Sequence, residues 1–214
     1  MNLKNFIKLF IPEIILIPVR TILLNQKINH SNKLFDGNEE LFKKNITSDI
    51  IYGEYGCGKS TEYILDNYDI PIYSVDTSKF WVNKISKKKN NNLNIKHINV
   101  GDVENWGVPK NYEYRENFKD YMNWIWQQKQ KPNVVLIDGR FRVCCFLTTL
   151  KFCNKGTKII FDDYVERKVY HLVEEFLKPT SFNGRQALFI VNDKSKFNFE
   201  MIDLEIDKFT YVID

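Results

Sequence analysis

The sequence contains no C-x-x-C pair and no long uninterrupted apolar run, and its charge leans only slightly to one sign. Its four cysteines, Cys57, Cys144, Cys145 and Cys153, lack the spacing of a zinc site or redox pair, and the two adjacent ones are poorly placed to bridge each other. They read as buried, reduced thiols and point to an intracellular, cytoplasmic setting. The most apolar stretch, FIKLFIPEIILIPVRTILL (6–24), is interrupted by Pro12, Glu13, Pro18 and Arg20. It falls short of the ~18 apolar residues of a spanning helix, and no small-residue cleavage site follows it. Thirty-one basic against 27 acidic residues give a net charge of +4, without the basic stripe of a nucleic-acid binder, so no nucleic-acid partner is expected.

What is present suits a packed globule. With 214 residues, 43% of them hydrophobic and 14% aromatic, the chain can bury one core and carry a short appendage. Residues 1–48 read as an N-terminal helical segment covering the cofactor or acceptor site, with a short helix within KLFDGNEELFKKN (33–45). Residues 1–32 leave open a peripheral contact with a membrane, with a glycosyltransferase partner, or with a second copy of the chain in a homo-oligomer.

From residue 49 to 214, β-rich runs alternate with amphipathic stretches, the pattern of parallel strands joined by helices. Strands are expected at DIIYGE (49–54), IPIYSVD (70–76), NIKHINVGD (94–102), NVVLID (133–138), TKIIFDD (157–163), QALFIVN (186–192) and FTYVI (209–213). Helical spacing marks KSTEYILDNY, SKFWVNKISKKK, ENFKDYMNWIWQQKQ, RFRVCCFLTTLKF and VERKVYHLVEEFL. The expected fold is α/β: a Rossmann-like seven-stranded, mostly parallel sheet with helices on both faces and a C-terminal antiparallel hairpin formed by the last two runs. Acidic residues recur at the proposed strand ends, at Glu54, Asp76, Asp102, Asp138, Asp162 and Asp163, where open α/β sheets bind ligands.

The stretch YGEYGCGKST (52–61) can be parsed twice. From Gly53 it is G-x-x-x-x-G-K-S, a phosphate loop in which backbone N–H groups wrap phosphates, Lys59 reaches their oxygens and Ser60 holds Mg²⁺. That parse makes the chain a P-loop NTPase or small-molecule kinase. From Glu54 it is E-x-G-x-G, the first loop of a cofactor-binding fold. The acids ending the first three strands would line a negative pocket, which repels a triphosphate and attracts a cation.

With these acids in order, residues 49–213 resemble the class I S-adenosylmethionine-dependent methyltransferases. The resemblance implies a cofactor site built on Glu54, Gly56, Gly58, Asp76 and Asp102; Tyr55, Ser60 and Thr61 share its first loop, and Trp106 joins it from the loop after Asp102. Glu54 would lie near the amino-acid end of the cofactor, Asp76 would hold the ribose and Asp102 the adenine amine. Trp106 would stack on a ring. Under this parse Lys59 is simply the first turn of a helix, and Ser60 or Thr61 closes the loop.

LIDGRFR (136–142) and IIFDDY (159–164) resemble the metal-dependent O-methyltransferases of sugar hydroxyls and a group of DGRFR/DDY methyltransferase-like proteins of glycan biosynthesis. That resemblance implies Asp138, Asp162 and Asp163 as ligands of Mg²⁺ or another divalent cation, which would activate a hydroxyl of a carbohydrate acceptor. Asp138, Asp163 and His171 are the candidate catalytic groups, and Arg140, Arg142 and Tyr164 would meet the acceptor. Arg140 stands where sugar methyltransferases of this kind often carry a second acid, which keeps open a catalytically silent cofactor-binding module. The fourth strand is not followed by the proline-aromatic tetrapeptide typical of nucleic-acid amino-group methylation.

Overall fold

The structure, a computed structural model, describes residues 33–213. The chain divides into two compact units, Met1–Gly37 and Asn38–Asp214. In the first, the described part is a short 3-10 turn, Leu34–Gly37. The expectations for residues 1–32 lie outside the described residues. The sheet and the candidate site belong to the second unit.

The elements of this second unit, in order, are α1 (Glu40–Asn45), β1 (Tyr52–Tyr55), α2 (Lys59–Asn67), β2 (Ile72–Asp76), α3 (Lys79–Ser86) and β3 (Leu93–His97). Then come α4 (Phe118–Asn123), β4 (Val134–Ile137), α5 (Arg142–Phe152), β5 (Lys158–Phe161), β6 (Ser181–Asn183), β7 (Gln186–Ile190) and α6 (Phe199–Phe209). The seven strands lie in the order β3-β2-β1-β4-β5-β7-β6. β1 to β5 are mutually parallel, β7 runs antiparallel to β5, and β6 antiparallel to β7. From β1 the chain moves outward through β2 to β3, then returns to β4 on the other side of β1. The sheet therefore has its topological switch point between β1 and β4, the place where open α/β sheets hold their ligands.

The four central strands are buried on both faces, which explains their near-continuous apolar runs. β3, at an edge, alternates partly buried and exposed positions. Helix α5 is enclosed along most of its length, from Arg142 to Leu150. This burial on every side is why Cys144 and Cys145, adjacent in sequence, are both inside; all four cysteines are buried. On its outer side lies α6, through buried Ile202 and a Cys144 Sγ contact with the Ile206 carbonyl at 3.5 Å. α1 packs Phe42 edge-on to Tyr52 with ring centroids 6.1 Å apart. Its first turn reaches the carboxyl edge of the sheet, where Asn183 Nδ2 donates to Glu40 at 3.0 Å.

The sequence reading is corrected at three places. FTYVI is not a strand: Phe209 ends α6 and the following residues form a turn. Ile202, Ile206 and Phe209 follow helical spacing, and the Asn198 side chain caps the helix by accepting from Met201 N–H at 3.1 Å, a start signal that outweighs the β-propensity of the tail. The antiparallel hairpin is made instead by β6 and β7 across Gly184-Arg185, with Gly184 at φ +53°. Glycine at the first of the two loop positions is its signature. β3 ends at His97, so Asp102 lies in the loop beyond it, and VERKVYHLVEEFL contributes a 3-10 segment, Lys168–Glu175.

Candidate active site

β1 passes into α2 through three residues, Gly56-Cys57-Gly58. Gly53 lies within β1, where an added Cβ would sit 2.7 Å from Pro132. A glycine inside the strand leaves too short a loop to wrap a phosphate with backbone N–H groups, so the phosphate-loop parse is not supported. Lys59 is the first residue of α2. Gly56 adopts φ +94°, and a Cβ there would lie 2.6 Å from Gly139 Cα and 2.8 Å from the Asp138 carbonyl carbon. The loops after β1 and β4 thus meet backbone to backbone at the switch point. Gly58 differs: a Cβ there would meet nothing within 4 Å, so its missing side chain leaves open room beside the loop.

Glu54 is wholly buried beneath this loop. Tyr52 Oη donates to Oε1 at 3.0 Å and Ser60 Oγ donates to the same oxygen; Thr61 Oγ1 donates to Oε2 at 2.5 Å and Ser74 Oγ at 2.9 Å. Burial nevertheless raises its pKa to about 7, outweighing the four hydroxyls that favour the charged form. Thr61 Oγ1 also accepts from Gly58 N–H at 2.9 Å. Glu54, Ser60 and Thr61 therefore tie loop, helix and sheet together. The Tyr55 side chain turns into the core, donating to the Met122 carbonyl at 2.6 Å and accepting from Trp126 Nε1 at 2.9 Å. Alternation along a strand forces this: Tyr55 must point away from the face that carries Glu54.

Asp76, at the end of β2, accepts from Cys57 N–H at 2.7 Å and Ser78 N–H at 2.5 Å. Burial pushes its pKa up to about 6 against those two bonds and the nearby charge of Arg140. Each of its oxygens keeps accepting capacity beyond its backbone bond. Beyond β3, Val103 and Pro109 pair as a small hairpin, which Thr77 Oγ1 anchors by donating to the Gly107 carbonyl at 2.7 Å. At its tip Trp106 holds φ +64° and is 77% exposed. Asp102, at the base, is exposed and pairs with Lys110 at 3.6 Å. Asp76 and the Trp106 hairpin thus border the glycine loop along the carboxyl edge of the sheet.

On the other side of the switch point, carboxylate oxygens of Asp138, Asp162 and Asp163 lie within 4.8 Å of one another. Phe141 (φ +53°) and Asp163 (φ +58°) both hold left-handed backbone here, a costly conformation that clusters at functional sites. Arg142 reaches Asp138 Oδ1 at 3.1 Å and Asp163 Oδ2 at 3.3 Å, and donates to the backbone carbonyls of Gly139 (3.0 Å), Asp162 (2.6 Å) and Asp138 (3.2 Å). Arg185 grips both oxygens of Asp162, Nε at 3.1 Å and Nη2 at 2.6 Å, and lies 3.4 Å from Asp163. Arg167 pairs with Asp163 at 3.0 Å, and Gln186 Nε2 donates to Asp162 at 2.9 Å. Asp138 has the most open side chain of the three, 29% exposed. Burial first, and then the charge of Asp162, hold its carboxyl well above the usual range, against the pull of Arg142.

The residues expected to meet the acceptor hold other partners in this structure. Arg142 is buried and its donors are engaged at the ends of β4 and β5, where it clamps the strand ends. Tyr164 is fully buried, its hydroxyl donating to Glu174 at 2.8 Å. His171 stacks on Tyr164 at 4.7 Å, with Nε2 3.1 Å from the Tyr164 carbonyl oxygen. Arg140 is also buried, and its charge is felt at Asp76 and Tyr121, which places it toward the glycine loop. Sequence reasoning missed Arg185, Arg167, Gln186, Thr77 and Gly139. The β5–β7 pairing brings Arg185 and Gln186 alongside the two aspartates, a register no local motif announces.

The site fits S-adenosylmethionine on its donor side: a loop with open room at Gly58, a buried carboxylate with spare acceptor capacity, and an exposed aromatic. It does not fit a divalent cation on the other side, because three guanidinium groups already neutralise the three carboxylates. No protein-family model matches the chain, and no curated protein matches it. Among solved structures, it is similar to a methyltransferase-like protein from Silicibacter pomeroyi DSS-3, with TM-score 0.63 and 29% identity over 76% of this chain and 88% of that one. It is also similar in fold to the N-methyltransferase NodS from Bradyrhizobium japonicum WM9, in complex with S-adenosyl-L-homocysteine. That match has TM-score 0.50 and 11% identity, over 79% of this chain and 97% of that one. The fold is the Rossmann-like one of these methyltransferase and methyltransferase-like structures.

Proposed function

We propose that the chain transfers a methyl group from S-adenosylmethionine to an oxygen, the acceptor being a sugar hydroxyl of a glycan or glycan precursor. The observation that carries this reading is the backbone contact of Gly56 with Asp138-Gly139, which sets a partly exposed carboxylate directly beside the glycine loop. S-adenosylmethionine supplies an electrophilic methyl group on a sulfonium. The Gly56–Gly58 backbone would admit it closely, Asp76 would accept from its ribose hydroxyls, and Trp106 would cover a ring. Asp138 takes the proton of the acceptor hydroxyl; its raised pKa makes it a stronger base than an ordinary carboxylate, which suits a poorly acidic alcohol. The DGRFR and DDY stretches favour a carbohydrate by resemblance alone.

The test is calorimetric titration of the protein with S-adenosylhomocysteine and, separately, with ATP and Mg²⁺. Labelled methyl transfer to panels of sugar and amine acceptors comes next. Binding of the first ligand, silence from the second and label on a hydroxyl are expected. Label on amines alone would overturn the oxygen acceptor, and failure to bind S-adenosylhomocysteine would overturn the whole reading.

A further inference from the structure

We infer that the Arg185 guanidinium stands where a divalent cation would otherwise bind, so that the acidic cluster on the acceptor side is complete without metal. An Mg²⁺- or Mn²⁺-type ion needs carboxylate oxygens whose lone pairs are turned toward it. Asp162, the buried member, gives both oxygens to the planar fork of Arg185 at 3.1 and 2.6 Å, and one of them also to Gln186. This is the bidentate arrangement in which arginine binds a carboxylate most strongly. Asp163 lies between Arg185, Arg142 and Arg167 at 3.4, 3.3 and 3.0 Å, and Asp138 takes Arg142 at 3.1 Å. Three carboxyl groups thus face three guanidinium groups. A divalent ion would have to displace a desolvated ion pair and leave the site with excess positive charge. Arg185 is held in place from the backbone as well, since its carbonyl accepts from Val165 N–H at 3.2 Å on the turn leaving β5.

The cluster belongs to the same site as the proposed reaction, but its metal affinity is read out independently of methyl transfer. The experiment is calorimetric titration of Mn²⁺ into the full chain and into Arg185→Ala and Arg185→Lys. Wild type and Arg185→Lys should give no saturable heat, while Arg185→Ala should gain one site, at least about tenfold tighter than any residual wild-type binding, that is lost again with added Asp138→Asn. Arg185→Gln carries the same comparison should the alanine variant fail to fold. Saturable one-site binding to wild type would overturn the inference. So would silence from the charge-removing variants, because Arg185 would then replace nothing. S-adenosylhomocysteine titrated into the same samples keeps the two readings apart: its failure to bind would sink the methyl-transfer reading and leave the metal result standing.

Discussion

At the scale of single residues, Gly56 and Gly58 belong to one motif but answer to different forces. Gly56→Ala would drive a Cβ to 2.6 Å from the backbone of Gly139 at a positive φ. It should destabilise the fold by about 3 kcal/mol or more, measured by denaturant unfolding. Gly58→Ala meets open space and should melt like wild type, yet weaken S-adenosylhomocysteine at least about tenfold. Equal loss of stability in both variants would deny that the room beside Gly58 is reserved for a ligand.

Glu54 is legible from sequence as an acid at the glycine loop, but its burial is not, because the four hydroxyls around it come from two strands and a helix. Its folded pKa of about 7 lies above the ordinary 4.5, so the native state holds a proton that the unfolded chain has released. Stability should therefore fall as pH rises from about 4.5 through about 7, by up to about 3 kcal/mol. Asp76, raised from 3.8 to about 6, adds a loss of the same sign over a lower window. Thermal melts between pH 5 and 8 should show this decline, and Glu54→Gln should flatten its upper part.

At the scale of elements, Arg142 joins the ends of β4 and β5 through three carbonyls and two carboxylates. Arg142→Ala strips three strand-end carbonyls and Asp138 of their guanidinium partner and should cost about 3–5 kcal/mol, read by denaturant unfolding. DGRFR could be read as a motif, but its meaning could not. Arg142 and Arg140 look like surface charges at a helix start until the turn at Phe141 is seen to direct both inward. The 103–109 hairpin is a second such element. Gly107→Ala would crowd Thr77 and require a side chain at φ +75°. It should release the hairpin, weaken S-adenosylhomocysteine binding and leave the melting temperature within a few degrees of wild type. Quenching of Trp106 fluorescence by the ligand would report the same contact.

At the scale of the whole molecule, the α/β alternation and the buried parallel strands were readable because both depend on the period and length of apolar runs. The last third was harder. β6 is three residues long and mostly exposed, so it has no hydrophobic signal, while α6 ends in residues that favour strands. α6 is a cover for α5, with Ile202 buried in the core they share. Ile202→Ala should cost about 2–5 kcal/mol of stability and leave cofactor affinity unchanged, a separation that calorimetry and unfolding together would check.

Where Gly56 meets Gly139, no side chain stands between the two halves of the site. Nothing compressible separates them, so movement of one loop is imposed on the other. An engineer wishing to change the acceptor cannot redraw the turn after β4 by itself. Its new path must be chosen together with that of the turn after β1, as a matched pair.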